Sequence, residues 1–305
     1  MPALLFLLCG CASIPDAVRE LPDGAAVELD DTPFFPQERY QCGPAALTTV
    51  LVASGVDASL ETIVDKVYLP GRQGSLQIEL VAAARTESRL PYVIEGTLAA
   101  LLAELEAGRP VLVLQNLGIR VIPRWHYAVV VGIDSDQSEI ALRSGTDRRR
   151  VTPVDTFLRT WRRGEYWGMV ALRPDEMPAS IDRERYLAAI AALEETGQLE
   201  SAVIAWRTAE ARWPDDSVVM FGLANTALAS GDYVAAESGY RRLLAQGGAS
   251  TAARNNLALA LAHQGRFDEA MTEIKAALGA NDEPRFADVL QDTLNEIQRM
   301  AERAR

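Results

Sequence analysis

The sequence predicts an α+β domain followed by an all-α solenoid, on three observations. Residues 27–174 are helical in their first half, apolar β segments follow in their second half, and the strand-free remainder repeats every 34 residues. A length of 305 residues suits two domains, and 49% hydrophobic with 24% charged residues excludes disordered, collagenous and polytopic membrane chains. Against 42 acidic residues stand 30 basic ones, a net charge of -12. Such a field repels phosphate backbones, so no nucleic-acid partner is expected.

The opening apolar run, Met1 to Ser13, is far too short to span a bilayer and suits the apolar part of an export signal. Within it, Leu8-Cys9-Gly10-Cys11 resembles the bacterial lipobox. The resemblance implies a signal over residues 1–11, acylation of Cys11, and, from Ala12 after it, a lipid anchor in the outer membrane on the periplasmic side. Residues 12–26 form a linker broken by Pro15, Pro22, Asp23 and Gly24. The 3 cysteines, at 9, 11 and 42, make no disulfide framework, which leaves Cys42 as the thiol in the body of the chain.

The first domain, 27–174, enters extended through Thr32-Pro33-Phe34-Phe35-Pro36 and turns helical at Gly43 to Val52. Pro44 fits the first turn of that helix and Gly55 its stop, so Cys42 stands at a helix N-terminus. Further helices are expected over 59–66, 76–85 and 98–107, the last closed by Gly108, and strands over 111–115, 125–133, 139–143 and 166–172. Asp134 to Ser138 is a polar turn between two of these strands.

The second domain, 183–305, carries two small-residue columns in one register. Gly197, Gly231 and Gly265 are 34 residues apart, and so are Ala202, Ala236 and Ala270. Period and pattern resemble tetratricopeptide repeats, which implies three helical pairs, with Glu283 to Arg305 as a helix covering the open end. A groove built in this way implies a protein partner.

The chemistry lies in the first domain. A cysteine nucleophile needs thiolate character, a base and an oxyanion donor. Free N–H groups and the helix dipole at Cys42 favour the anion. Of the 2 histidines, His263 falls in the turn column of the repeats, and His126 begins an apolar strand. Gln37, then Cys42-Gly43-Pro44 five residues on, and His126-Tyr127-Ala128-Val129-Val130-Val131-Gly132 resemble the C39 and C39-like group of papain-fold cysteine peptidases. The resemblance implies a peptide or protein substrate, Cys42 as nucleophile, His126 as general base, and the Gln37 amide with the Cys42 backbone N–H as oxyanion donors. It also implies a carboxylate on the strand after the histidine strand, yet Leu142-Arg143-Ser144-Gly145 holds none. Counting about the hairpin turns leaves two candidates to orient His126: Asn116 beside Gln115 on one neighbour, and Asp147 through a bulge on the other.

No cofactor is expected. Two histidines in different domains and one internal thiol form no ligand cluster, and Gly71-Arg72-Gln73-Gly74 follows no β run. The Cys42–His126 pair would serve a peptidyl or acyl transferase as well as a hydrolase, and an inert papain-like scaffold with repeats is the remaining alternative.

Overall fold

The computed structural model describes residues 14–37, 40–247, 250–281 and 284–304; Cys11 lies outside the described residues. The chain folds as two compact units. The first comprises residues up to Glu87 with Pro91–Ala171 and Pro178–Ser180; the second comprises Ser88–Leu90, Leu172–Met177 and the chain from Ile181 onward.

A short helix α1 (Asp16–Arg19) and strand β1 (Ala26–Glu28) open the first unit. Helix α2 (Cys42–Ala53) follows, with Pro44 in its first turn and Gly55 at φ 87° just beyond its end. Helix α3 (Leu60–Val67) starts at Ser59, whose hydroxyl accepts from the Thr62 N–H, and α4 (Gln77–Thr86) comes next. Then come β2 (Leu90–Val93), α5 (Leu98–Glu106), β3 (Val111–Asn116), β4 (Trp125–Asp134), β5 (Glu139–Ser144), β6 (Asp147–Pro153), α6 (Val154–Arg162) and β7 (Gly168–Leu172).

The strands form one sheet in the order β2-β7-β3-β4-β5-β6, with β1 against the far end of β4. β3 and β5 both pair antiparallel with β4, one on either side. Alternation along the strands decides what each face meets. Leu112, Leu114, Tyr127, Val129 and Val131 join Leu47, Val50 and Leu51 of α2 in one core. The intervening Val111, Val113, Ala128 and Val130 are equally buried, on the face that α5 and α6 cover.

Elements α1, β1, β2, β6 and α6 have no counterpart in the sequence expectation, which gave residues 12–26 as linker. Strand β6 reads Asp-Arg-Arg-Arg-Val-Thr-Pro: it is an edge strand with its residues mostly in solvent, so burial imposes no alternation on it, and pairing to β5 makes it a strand. Helix α6 is short, and its apolar Phe157, Leu158 and Trp161 form one stripe that only the sheet rewards.

In the second unit, helices α7 (Arg183–Glu195), α8 (Leu199–Arg212), α9 (Ser217–Ala229), α10 (Tyr233–Ala245), α11 (Ser250–His263) and α12 (Phe267–Ala280) pair in succession, and α13 (Ala287–Arg303) packs on α11 and α12. The α+β domain followed by helical repeats is thus the predicted fold class. Both columns have a physical reason. Gly197, Gly231 and Gly265 take φ 76°, 80° and 76° at the turn inside each pair, a left-handed conformation that penalises other residues. Ala202, Ala236 and Ala270 are fully buried where paired helices meet. His263 ends α11 with its ring stacked on Tyr233 at 4.5 Å.

Candidate active site

Three segments of the first unit build one cleft of about 730 Å³, lined among others by Gln37, Cys42, Ser75, Trp125, His126 and Tyr127. The approach to α2 is tied down by an unexpected residue, Arg143 of β5. It is 5% exposed, and its guanidinium donates to the carbonyl oxygens of Leu29 (3.3 Å), Asp30 (2.9 Å), Thr32 (3.3 Å) and Arg148 (2.8 Å). A buried cation needs such partners, and here three of the four acceptors fold residues 29–32 onto the sheet. The Gln37 N–H then donates to Gly145 O at 3.2 Å, which brings Gln37 beside the start of α2. Tyr40 in this approach stands at φ 69°, a conformation costly for any residue but glycine and one that clusters at functional sites.

At the first turn of α2, Gly43 has a steric cause. A Cβ on Gly43 would come within 2.7 Å of the Ser75 side chain and 3.4 Å of the Tyr127 ring. Tyr127 in turn donates its hydroxyl to Ser75 O at 3.3 Å, so helix start, strand β4 and the loop at Ser75 close on one another around the thiol.

Cys42 departs from the expectation for a helix N-terminus. Burial pushes its thiol pKa up, and the backbone N–H groups of Tyr127, Gly43 and Cys42 itself counteract this only in part. His126 moves the other way: burial first, then Arg150 and Arg124, hold its imidazole down to about 4. Both groups are therefore neutral at pH 7. They share the cleft, and among the described residues the imidazole is hydrogen-bonded to Ser144 Oγ, 2.8 Å from Nε2, and not to the thiol.

The imidazole partner is thus Ser144 and neither of the two expected residues. Asn116 lies against Trp125 in the β3–β4 register, and its Oδ1 accepts from the Gly118 and Arg124 N–H groups at 2.9 Å each, which holds it in the hairpin. Gln115 is the residue directly opposite His126, but its amide donates to Thr160 Oγ1 of α6 at 2.7 Å. Asp147 begins the exposed edge strand, with its carboxylate 3.9 Å from Arg150. The signal for Ser144 was present in Leu142-Arg143-Ser144-Gly145, where the serine hydroxyl is the one side chain able to accept from an imidazole N–H. Among the described residues no group of three or more His, Cys, Asp or Glu stands together to hold a metal.

Family models match both parts of the chain. The model of the Peptidase_C39 like family matches residues 29–166, and that of the tetratricopeptide repeat matches 186–251 and 221–284. No curated protein matches the chain. Similar solved structures include one described as a C39-like peptidase from Bacillus anthracis, 14% identical over 48% of this chain and 98% of that one, with a TM-score of 0.41. The peptidase domain of Streptococcus ComA, a bifunctional ABC transporter, is 17% identical over 47% and 98%, with a TM-score of 0.39. A double glycine motif protease from an AMS/PCAT transporter, solved with its leader peptide, is 19% identical over 46% and 89%, with a TM-score of 0.35. The first unit accordingly carries a domain of the C39-like peptidase family, and the helices after it are tetratricopeptide repeats.

Proposed function

We propose that the first domain hydrolyses peptide bonds through Cys42 and His126. The observation that carries this is the meeting, in one cleft, of a lone thiol at a helix start and an imidazole held neutral. In the tautomer protonated at Nε2, His126 donates to Ser144 Oγ and keeps the Nδ1 lone pair as base. Substrate entry brings thiol and imidazole into contact, as catalytic hydrogen bonds tighten only in the complex. Sγ then bonds to the scissile carbonyl carbon as its proton passes to Nδ1, and the oxyanion takes hydrogen bonds from the Gln37 amide and the Cys42 N–H. The imidazolium returns the proton to the leaving amine, the C–N bond breaks, and water activated by neutral His126 cleaves the thioester, restoring the thiol. An amine in place of water would make the same pair a transferase. The family resemblance points to a small residue such as Gly before the cut.

A covalent electrophile applied at neutral pH, with the adduct located by peptide mass, tests this reading: labelling at Cys42 that needs His126 supports it. The raised thiol pKa and a serine in the place of a carboxylate favour the second reading, an inert scaffold, and absence of labelling would establish that reading instead.

The pH profile follows from the imidazole. Because His126 is held down to about 4, its base form persists above that value and is lost as pH falls through it. The acid limb of kcat/KM is expected near 4 and not near 6.5, and a limb at 6 or above would contradict the desolvated imidazole. Ser144→Ala, which removes a positioning residue and no reacting atom, is expected to lower kcat about 10-fold with KM little changed, the worth of one hydrogen bond. Ser144→Asp should restore activity and move the acid limb upward, since a carboxylate favours the imidazolium; a limb that stays in place would remove Ser144 from this role.

The same proposal assigns the repeats to recruitment of substrate or partner and Cys11 to an outer-membrane anchor facing the periplasm. Cys11→Ser is expected to move the chain into the soluble fraction of a high-salt cell extract, and unchanged membrane partitioning would reassign the acylated residue.

A further inference from the structure

The β3–β4 hairpin runs past the cleft to a tip that the proposed chemistry does not use. From Leu117 to Trp125 the chain reads Leu-Gly-Ile-Arg-Val-Ile-Pro-Arg-Trp. Leu117, Pro123, Arg124 and Trp125 line the cleft, whereas Ile119, Val121 and Ile122 do not. Those three are 54%, 80% and 68% exposed, and Trp125 at the base is 55% exposed. Adjacent β-branched residues held this far into water mark an interaction surface.

The tip is a built structure. Ile119 and Ile122 exchange both backbone hydrogen bonds (3.2 and 3.1 Å), and the Leu117 N–H donates to Arg124 O at 2.9 Å. Arg163 donates to Gly118 O at 2.7 Å, and a Cβ on Gly118 would come within 2.3 Å of Ile122 O. Only glycine permits this closure.

We propose that the tip inserts into the interfacial layer of an anionic lipid membrane. Its shape argues for this occupant, since it is a convex projection, whereas small ligands and peptides are taken in clefts and grooves. The N–H groups of Leu117, Ile119 and Ile122 are paired within the hairpin, which limits the number of unsatisfied amides that insertion carries into lipid. Charge complementarity argues the same way: residues 117–125 hold Arg120 and Arg124 and no acid, in a chain of net charge -12. An anionic surface therefore attracts the tip while repelling the rest of the chain, which orients the approach. An exposed tryptophan at the base suits the headgroup level.

The test uses the full-length chain carrying Cys11→Ser, so that no acyl group contributes. It is sedimented with vesicles of phosphatidylglycerol or phosphatidylcholine, beside the same chain with Val121→Asp and Ile122→Asp added, and beside one with Arg120→Glu. Phosphatidylglycerol vesicles should capture the parent more strongly, and less so as salt is raised. The aspartate pair should lower that partitioning about 10-fold or more, and Arg120→Glu should lower it for phosphatidylglycerol alone. Circular dichroism confirms that each variant is folded, and Ile122→Ser serves if the aspartate pair is not. Equal capture of parent and tip variants would overturn the proposal, as would a parent that binds neither vesicle. Tip variants that keep lipid binding but lose peptide turnover, or lose self-association, would assign the tip to a peptide or to a second copy and overturn it equally.

Discussion

Cys42→Ala is expected to leave the chain folded and without turnover. The loss should reach roughly 10⁴-fold or more, since no other nucleophile in the cleft can form the thioester. His126→Ala should fall nearly as far, and the two losses should not add, because thiol and base act as one unit. The check is single-turnover kinetics on each variant and on the pair. Measurable thioester formation in Cys42→Ala, or additive losses in the double variant, would refute the mechanism. The alanine itself should be tolerated: Cys42 is half-buried at the helix start, and no side chain is hydrogen-bonded to its sulfur among the described residues.

Arg143→Leu is the second large effect, and it falls on stability. The leucine fits an apolar setting but leaves the carbonyl oxygens of Leu29, Asp30, Thr32 and Arg148 without their donor. Stranding buried acceptors costs about 1–3 kcal/mol each, so a total of roughly 3 kcal/mol or more is expected even after water reaches some of them. In thermal denaturation the transition of the first unit should drop by roughly 10 °C. An unchanged midpoint would mean that residues 29–32 need no clamp. A folded remnant should also lose turnover, because Gln37 hangs from the same segment through Gly145.

A large part of this was legible before any coordinates, and the reasons are local. Pro44 and Gly55 punctuate α2, so Cys42 had to be at a helix start; the run His126 to Gly132 had to be a strand because its apolar residues are too few for a helix. The repeat columns were legible because the same turn and the same close approach recur in each pair. What was not legible depends on elements without a pattern of their own. Counting along the hairpin brought Gln115 and Asn116 to His126, and Gln115 is indeed opposite, but its amide goes to Thr160 on a helix that nothing in the sequence announced. Register fixes which backbones are neighbours, not where a polar side chain finds its partner. In the same way, dipole reasoning at α2 gave the sign of one influence on the thiol, and the larger influence, burial, came from packing against a core assembled from residues distant in sequence.

The covered, protonated state of Cys42 bears on chemical longevity. The thiolate attacks peroxides and foreign disulfides, at rates that follow its fraction and its access. A sulfur whose proton is held by burial, and which has no paired imidazolium to ionise it, presents little thiolate while the cleft is empty. The resting thiol should therefore react slowly with peroxides and disulfides that do not bind in the cleft, whereas an electrophile that occupies the cleft beside His126 is the probe expected to reach it.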